Sequence, residues 1–154
     1  GFTPDEASFR AMSVRFMAAY EARKTECRLH AHAETLLAGL SAAGLTHSVL
    51  SAYERTLLSD TLAHYGLDGR FRKACGGDDI HAGSKEDRAR RHLADLDVRP
   101  EDVIYFGDTA HDAEAAAAMG VDCVLAAHGH QHRARLEGLD VRIVDGFAEL
   151  VAEL

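Results

Sequence analysis

Two carboxylates four residues apart, Asp108 and Asp112, follow an apolar run that ends in glycine: Val103-Ile104-Tyr105-Phe106-Gly107-Asp108-Thr109-Ala110-His111-Asp112. A β-favouring run, a glycine and an alanine-rich stretch in that order make a buried strand, a tight turn and a helix start. Ligands of open parallel sheets bind beyond the carboxyl ends of the strands, so both acids fall where chemistry is expected. Two close carboxylates with room for water suit Mg²⁺, a hard cation that prefers oxygen ligands. Ser51 ends a second apolar run, and Lys85 stands near a helix start in Gly83-Ser84-Lys85-Glu86. A hydroxyl that donates to a phosphate oxygen, an ammonium that neutralises charge and carboxylates that hold a metal are the parts of a phosphoryl site. A nucleophile is missing from the set.

Each residue also has a structural reading. Asp108 fits a helix cap and Asp112 the first helical turn, where acids are favoured. Ser51-Ala52-Tyr53-Glu54 reads as a capping box with Ser51 as N-cap. That role coexists with phosphate binding by Ser51 and Ala52, because a helix N-terminus is also an anion site. Lys85 sits at the helix end where the dipole disfavours a cation, which points to a functional reason for it. Thr109 reads equally as a turn residue or as a hydroxyl near the metal, and His111 as a solvent-facing turn residue. His30 and His32 form a close pair, and His128, His130 and His132 alternate. Alternating histidines on a strand share a face and can bind Zn²⁺ or Ni²⁺. Gly129 interrupts this stretch, which reads instead as a polar loop near the mouth of the site.

The elements that must position these side chains alternate. Helices are expected over 4–23 (Thr3 as N-cap, with Glu6 completing a capping box), 31–42, 54–65, 84–96, 112–119 and 147–153. Strands are expected over 47–51, 103–106, 121–125 and 141–144, with a short one near 71–75, a loop over 76–79 and a helical piece near 133–137. Strands alternating with helices form a parallel sheet covered on both faces, an α/β fold.

Leu50-Ser51-Ala52, Lys85 and Gly107-Asp108-Thr109-Ala110-His111-Asp112 resemble the second, third and fourth motifs of the haloacid dehalogenase-like (HAD) superfamily. Gly120-Val121-Asp122-Cys123-Val124-Leu125 with Gly129-His130-Gln131 is similar to its phosphoglycolate phosphatase-like branch. The resemblance runs from about His30 to the C-terminus and rests on the order and spacing of the motifs. It implies a Rossmann-type parallel sheet sandwiched by helices. It also implies a Mg²⁺-dependent phosphatase of a small phosphorylated metabolite that works through an aspartyl-phosphate. Ser51 and Lys85 would bind the phosphoryl group, and Asp108 with Asp112 would hold the metal. The family's first motif, Asp-x-Asp-x-Thr after an N-terminal strand, is absent; Asp95 and Asp97 lie in a helix-to-turn region. Residues 1–28 therefore resemble the remnant of a helical cap, ending in its last helix, and 29–154 a core without its first strand. The chain as given is expected to be inactive alone. The alternatives are a non-catalytic HAD-like binding module and a receiver-type signalling domain. The latter needs a phospho-acceptor at the strand end that Ser51 occupies.

In the resembled sheet the absent strand lies between the strand ending in Ser51 and the one ending in Phe106. A buried unsatisfied polar group costs about 1–3 kcal/mol, so an empty slot is expected to be filled or repaired. A separate segment, a strand swapped from a second copy, or direct pairing of the two flanking strands would do so. The swap would make the chain a homo-oligomer.

The chain has 154 residues, 47% hydrophobic and 27% charged, the proportions of one soluble domain. A net charge of −8 argues against general nucleic-acid binding. Arg88, Arg90 and Arg91, offset by Glu86, Asp87 and Asp95, read as a solvated helix face. Three widely spaced cysteines (Cys27, Cys75 and Cys123) read as reduced thiols of a cytoplasmic protein, with Cys123 in the core. No apolar run is long enough to span a bilayer. The first residue is Gly1, not Met, and a longer gene product is expected.

Overall fold

The computed structural model describes residues 5–77 and 85–154. Helix α1 (Glu6–Arg23) is followed by a 3₁₀ turn, α2 (Ala33–Ala42), β1 (Ser48–Glu54), α3 (Arg55–His64) and β2 (Lys73–Gly77). Next come α4 (Lys85–Leu96), β3 (Ile104–Gly107), α5 (Ala110–Met119) and β4 (Asp122–Ala126). The chain closes with α6 (Arg133–Leu136), β5 (Arg142–Val144) and α7 (Phe147–Val151). The expected α/β alternation is present, and every ladder is parallel.

The sheet comes in two pieces. β1 pairs with β2, and β3, β4 and β5 pair in that order. No ladder joins β1 to β3 among the described residues, so the repair by direct pairing does not occur. Both pieces rest on one helical layer: Leu50 of β1 and Tyr105 of β3 pack on a core of Ala89, Ala115, Ala116, Met119, Cys123 and Leu125.

Side-chain alternation divides β4 between two cores. Cys123 and Leu125 face α4 and α5, while Val124 and Ala126 join Leu36, Val144 and Leu150 under α2 and α7. Burial pushes the Cys123 thiol up to about 11, consistent with an inert core position. The opposite face of β3 is open: Ile104 is 57% exposed and Phe106 43%. Helix α1 buries none of its residues and exposes Phe9, Met12, Phe16 and Met17. No helix of the described residues is long and apolar enough to cross a membrane.

Four local expectations are corrected. Ser51 is not a helix cap. β1 continues to Glu54, whose side chain caps α3 by accepting from the Thr56 and Leu57 N–H groups, and Gly76 and Gly77 are strand, not loop. Asp108 is not a cap either; Thr109 caps α5. Asp5 caps α1, accepting from Ser8 N. Thr3, Pro4, Asp78, Asp79, Gly83 and Ser84 lie outside the described residues.

Candidate functional site

The turn after β3 is built around one carboxylate. Oδ2 of Asp112 accepts from the Asp108 N–H (3.1 Å), the Thr109 N–H (3.0 Å) and the Thr109 hydroxyl (2.7 Å). Thr109 Oγ1 in turn accepts from Asp112 N, completing a capping box. Oδ1 accepts from Lys85 Nζ at 2.7 Å and from the Tyr105 hydroxyl at 3.4 Å. Burial alone would raise the pKa of Asp112, but the hydrogen bonds from Lys85, Thr109 and the Asp108 amide hold it below the usual carboxylate range. It is an ionised, 7% exposed anchor with both oxygens engaged. Gly107 makes this turn possible: a Cβ there would stand 2.7 Å from Asp112 Oδ2 and nearer still to its Cβ.

Asp108 is oriented from the other side. Its Oδ2 accepts from the His130 N–H at 2.6 Å, in the loop after β4. Gln131 Oε1 accepts from Ala110 N at 2.9 Å, tying the same loop to the start of α5. Gly129 lets the loop come this close, since a Cβ there would lie 2.7 Å from Asp108 Cγ. Oδ1 of Asp108 accepts no hydrogen bond among the described residues. A half-buried carboxylate with one free oxygen beside a second anion fits a hard divalent cation completed by water. No three His, Cys, Asp or Glu side chains converge as a metal cluster among the described residues.

Lys85, Asp108 and Asp112 therefore come together. Ser51 and Ala52 lie on β1, across the break between the sheets, and Ser51 makes no hydrogen bond to those three. The β1–β2 register shifts between Leu50 and Glu54, and within that irregular stretch Ser51 Oγ accepts from Tyr53 N at 3.0 Å. His111 is exposed as expected, but it lies in the first turn of α5 and not in the turn before it, where it contacts Glu114. His132 caps α6, while His128 stacks edge-on against His30 and Phe147.

Sequence reasoning gave no site role to four contributors. Tyr105 hydrogen-bonds the site from an apolar strand, and Gln131 does so from the Gly129-His130-Gln131 stretch, read only as a polar loop near the site mouth. Tyr105 is a half-buried phenol whose proton is held more tightly by burial and by Asp112. The backbone of His130 matters, not its ring. Arg88 is not a solvated helix residue: its Nε is buried with no hydrogen-bond partner among the described residues, and Nη1 stands 3.2 Å from where a Gly77 Cβ would be. Its charge reaches Tyr105, so it lies between the two sheet pieces. The i, i+3 spacing from Lys85 was the available signal.

A sequence profile for haloacid dehalogenase-like hydrolases matches residues 3–126. A phosphoglycolate phosphatase of Cereibacter sphaeroides is 30% identical over 133 residues, 86% of this chain and 61% of that protein. Tyrosine-protein kinase PtkA of Mycobacterium tuberculosis is 34% identical over 96 residues, 62% of this chain and 33% of that protein. The solved structure of PtkA superposes with a TM-score of 0.80 at 28% identity, covering 97% of this chain and 71% of that chain. A predicted phosphatase from Clostridium acetobutylicum superposes at 0.83 with 22% identity, covering 97% and 71%, a likeness of fold. The match thus spans between 33% and 61% of these two curated relatives' lengths.

Proposed function

This chain belongs to the haloacid dehalogenase-like hydrolase family, and from that premise we propose that its protein hydrolyses a small phosphate monoester with Mg²⁺. The observation that carries the reading is the Lys85–Asp112 ion pair set against Asp108 at the carboxyl end of β3. Asp108 is the direct metal ligand on this reading. Asp112, with both carboxylate oxygens accepting from protein donors, aims Lys85 and shapes the turn. Mg²⁺, when bound, would neutralise phosphate charge. Lys85 and the Ser51 hydroxyl would take up the phosphate oxygens, and the N–H groups near Ala52 would add to them.

The nucleophile is proposed to be an aspartate on a strand that fills the break between β1 and β3. That strand would come from elsewhere in the full protein. Its carboxylate oxygen attacks phosphorus as the ester oxygen leaves; water then attacks the acyl phosphate and restores the carboxylate. Residues 1–28 would be part of a cap and 29–154 the core. The likeness to PtkA supports a second reading, transfer of the phosphoryl group to an acceptor other than water. The absence of an Asp-x-Asp after an apolar strand supports a third, a binding module without turnover.

Phosphate release from a panel of small phosphomonoesters, with and without Mg²⁺, tests the proposal. The 154-residue chain is expected to be silent and the full protein active, with activity lost in Asp108→Ala and Lys85→Met. Turnover by the 154-residue chain would overturn the assignment of the nucleophile. A full protein that is inactive, or indifferent to both substitutions, would overturn the phosphatase reading.

A further inference from the structure

Tyr53 lies two residues past Ser51, in the stretch where the β1–β2 ladder shifts register. Its two polar ends face different parts of the molecule. The backbone N–H donates to Ser51 Oγ. An oxygen that accepts there keeps its own hydrogen free to donate, and a phosphate oxygen needs a donor. At the other end, the phenol donates to Glu21 and accepts from Lys24 Nζ at 3.3 Å. Lys24 and Glu21 pair with each other at 2.7 Å, both partly shielded from solvent. Lys24 and the phenol hold the Glu21 carboxyl below its usual range, so it is ionised at neutral pH. The Tyr20 ring meets the Tyr53 ring edge-on at 6.4 Å, and the Lys24 ammonium lies 5.7 Å from the Tyr53 ring centroid.

Among the described residues, the side-chain hydrogen bonds that tie α1 and the turn after it to β1 all end on this one phenol. α1 has no buried residue to hold it otherwise. We infer that Tyr53 is a positioning residue that couples the placement of α1 to the direction of the Ser51 hydroxyl, so that phosphate is gripped when α1 is latched. This rests on the reading of Ser51 as a phosphate contact.

The test uses the 154-residue chain, inorganic phosphate as the probe in calorimetric titration, and amide exchange of the last turns of α1. Tyr53→Phe keeps the ring and removes the hydroxyl. Glu21→Gln leaves Tyr53 whole and weakens the same clamp. Both are expected to speed exchange over residues 18–24. Both should also weaken phosphate binding, Tyr53→Phe by about fivefold, the equivalent of one neutral hydrogen bond. Ser51→Ala is expected to weaken phosphate binding while leaving α1 exchange unchanged. Faster exchange in both clamp variants with unaltered phosphate affinity would overturn the coupling alone. Unaltered affinity in Ser51→Ala, or no binding by the unmodified chain, would overturn the phosphate-site reading and the coupling with it.

Discussion

Replacing Asp112 with asparagine keeps the size of the side chain and removes its charge, which isolates what the carboxylate contributes. The amide oxygen can stay with the three donors on the Oδ2 side: Asp108 N, Thr109 N and Thr109 Oγ1. The amide NH₂ then faces the Lys85 ammonium and the Tyr105 hydroxyl, where an acceptor had been. Removing one member of a fully buried ion pair costs about 3–5 kcal/mol, because the other charge is stranded. The Lys85 side chain here keeps 31% exposure and Asp112 10%, which sets the expectation near the bottom of that range, about 3 kcal/mol. With a urea slope of about 2 kcal/mol/M, the unfolding midpoint should fall by about 1.5 M. Most of this loss is the stranded ammonium. The double variant Asp112→Asn/Lys85→Met should therefore be more stable than the sum of the single effects allows, by about 1 kcal/mol or more. The pH dependence has a definite sign. A carboxyl held low in the folded state stabilises above its unfolded value of 3.8, and that contribution is lost as pH falls below it. The gap between the unmodified chain and Asp112→Asn should thus persist at neutral pH and close in acid. A midpoint shift under about 0.3 M, or strictly additive single effects, would refute this account of the turn.

Gly129→Ala should force the loop off Asp108, lower stability by about 1–3 kcal/mol and reduce the thermal shift on adding MgCl₂; an unchanged Mg²⁺ shift would dissociate the loop from the metal position. His92 is buried with neither ring nitrogen hydrogen-bonded among the described residues, and burial, then Lys73, hold its pKa below the usual 6.5. The unfolded chain takes up that proton more readily, so stability should decline as pH drops below 6.5. His92→Gln should flatten that part of a urea-midpoint profile. The open edge and face of β3 should drive association of the chain; Ile104→Lys is expected to lower the average mass in sedimentation equilibrium, and a monomer at all concentrations before substitution would count against it.

The alternation of strand and helix was legible because it is local. The continuous apolar run at 123–126 and the run Ile104–Gly107 declare strands without reference to anything distant, and they lie within a residue or two of expectation. The site was legible in kind for the same reason: a glycine between an apolar strand and a helix start leaves Asp108 and Asp112 at a carboxyl end. Caps were misread where two local solutions compete. Ser51 and Glu54 both suit a cap, and the choice fell to Glu54 because β2 extends β1 past Ser51 through a register shift that depends on residues about 25 positions away.

What only the tertiary structure decided follows from chain separation. Lys85 meets Asp112 across 27 positions and His130 meets Asp108 across 22, so the division of labour between the two aspartates, one saturated and one with a free oxygen, had no local signature. Arg88 looks like its exposed neighbours Arg90 and Arg91 until α4 is laid against both sheet pieces. Tyr53 became a link to α1 only when Glu21 and Lys24 were folded back onto it across about 30 residues. Periodicity and capping act over one or two turns and are written into the sequence at that range. Which charges desolvate, which carboxylate keeps a lone pair, and where a sheet breaks depend on packing between elements remote in the chain, and that is where the physical information lies.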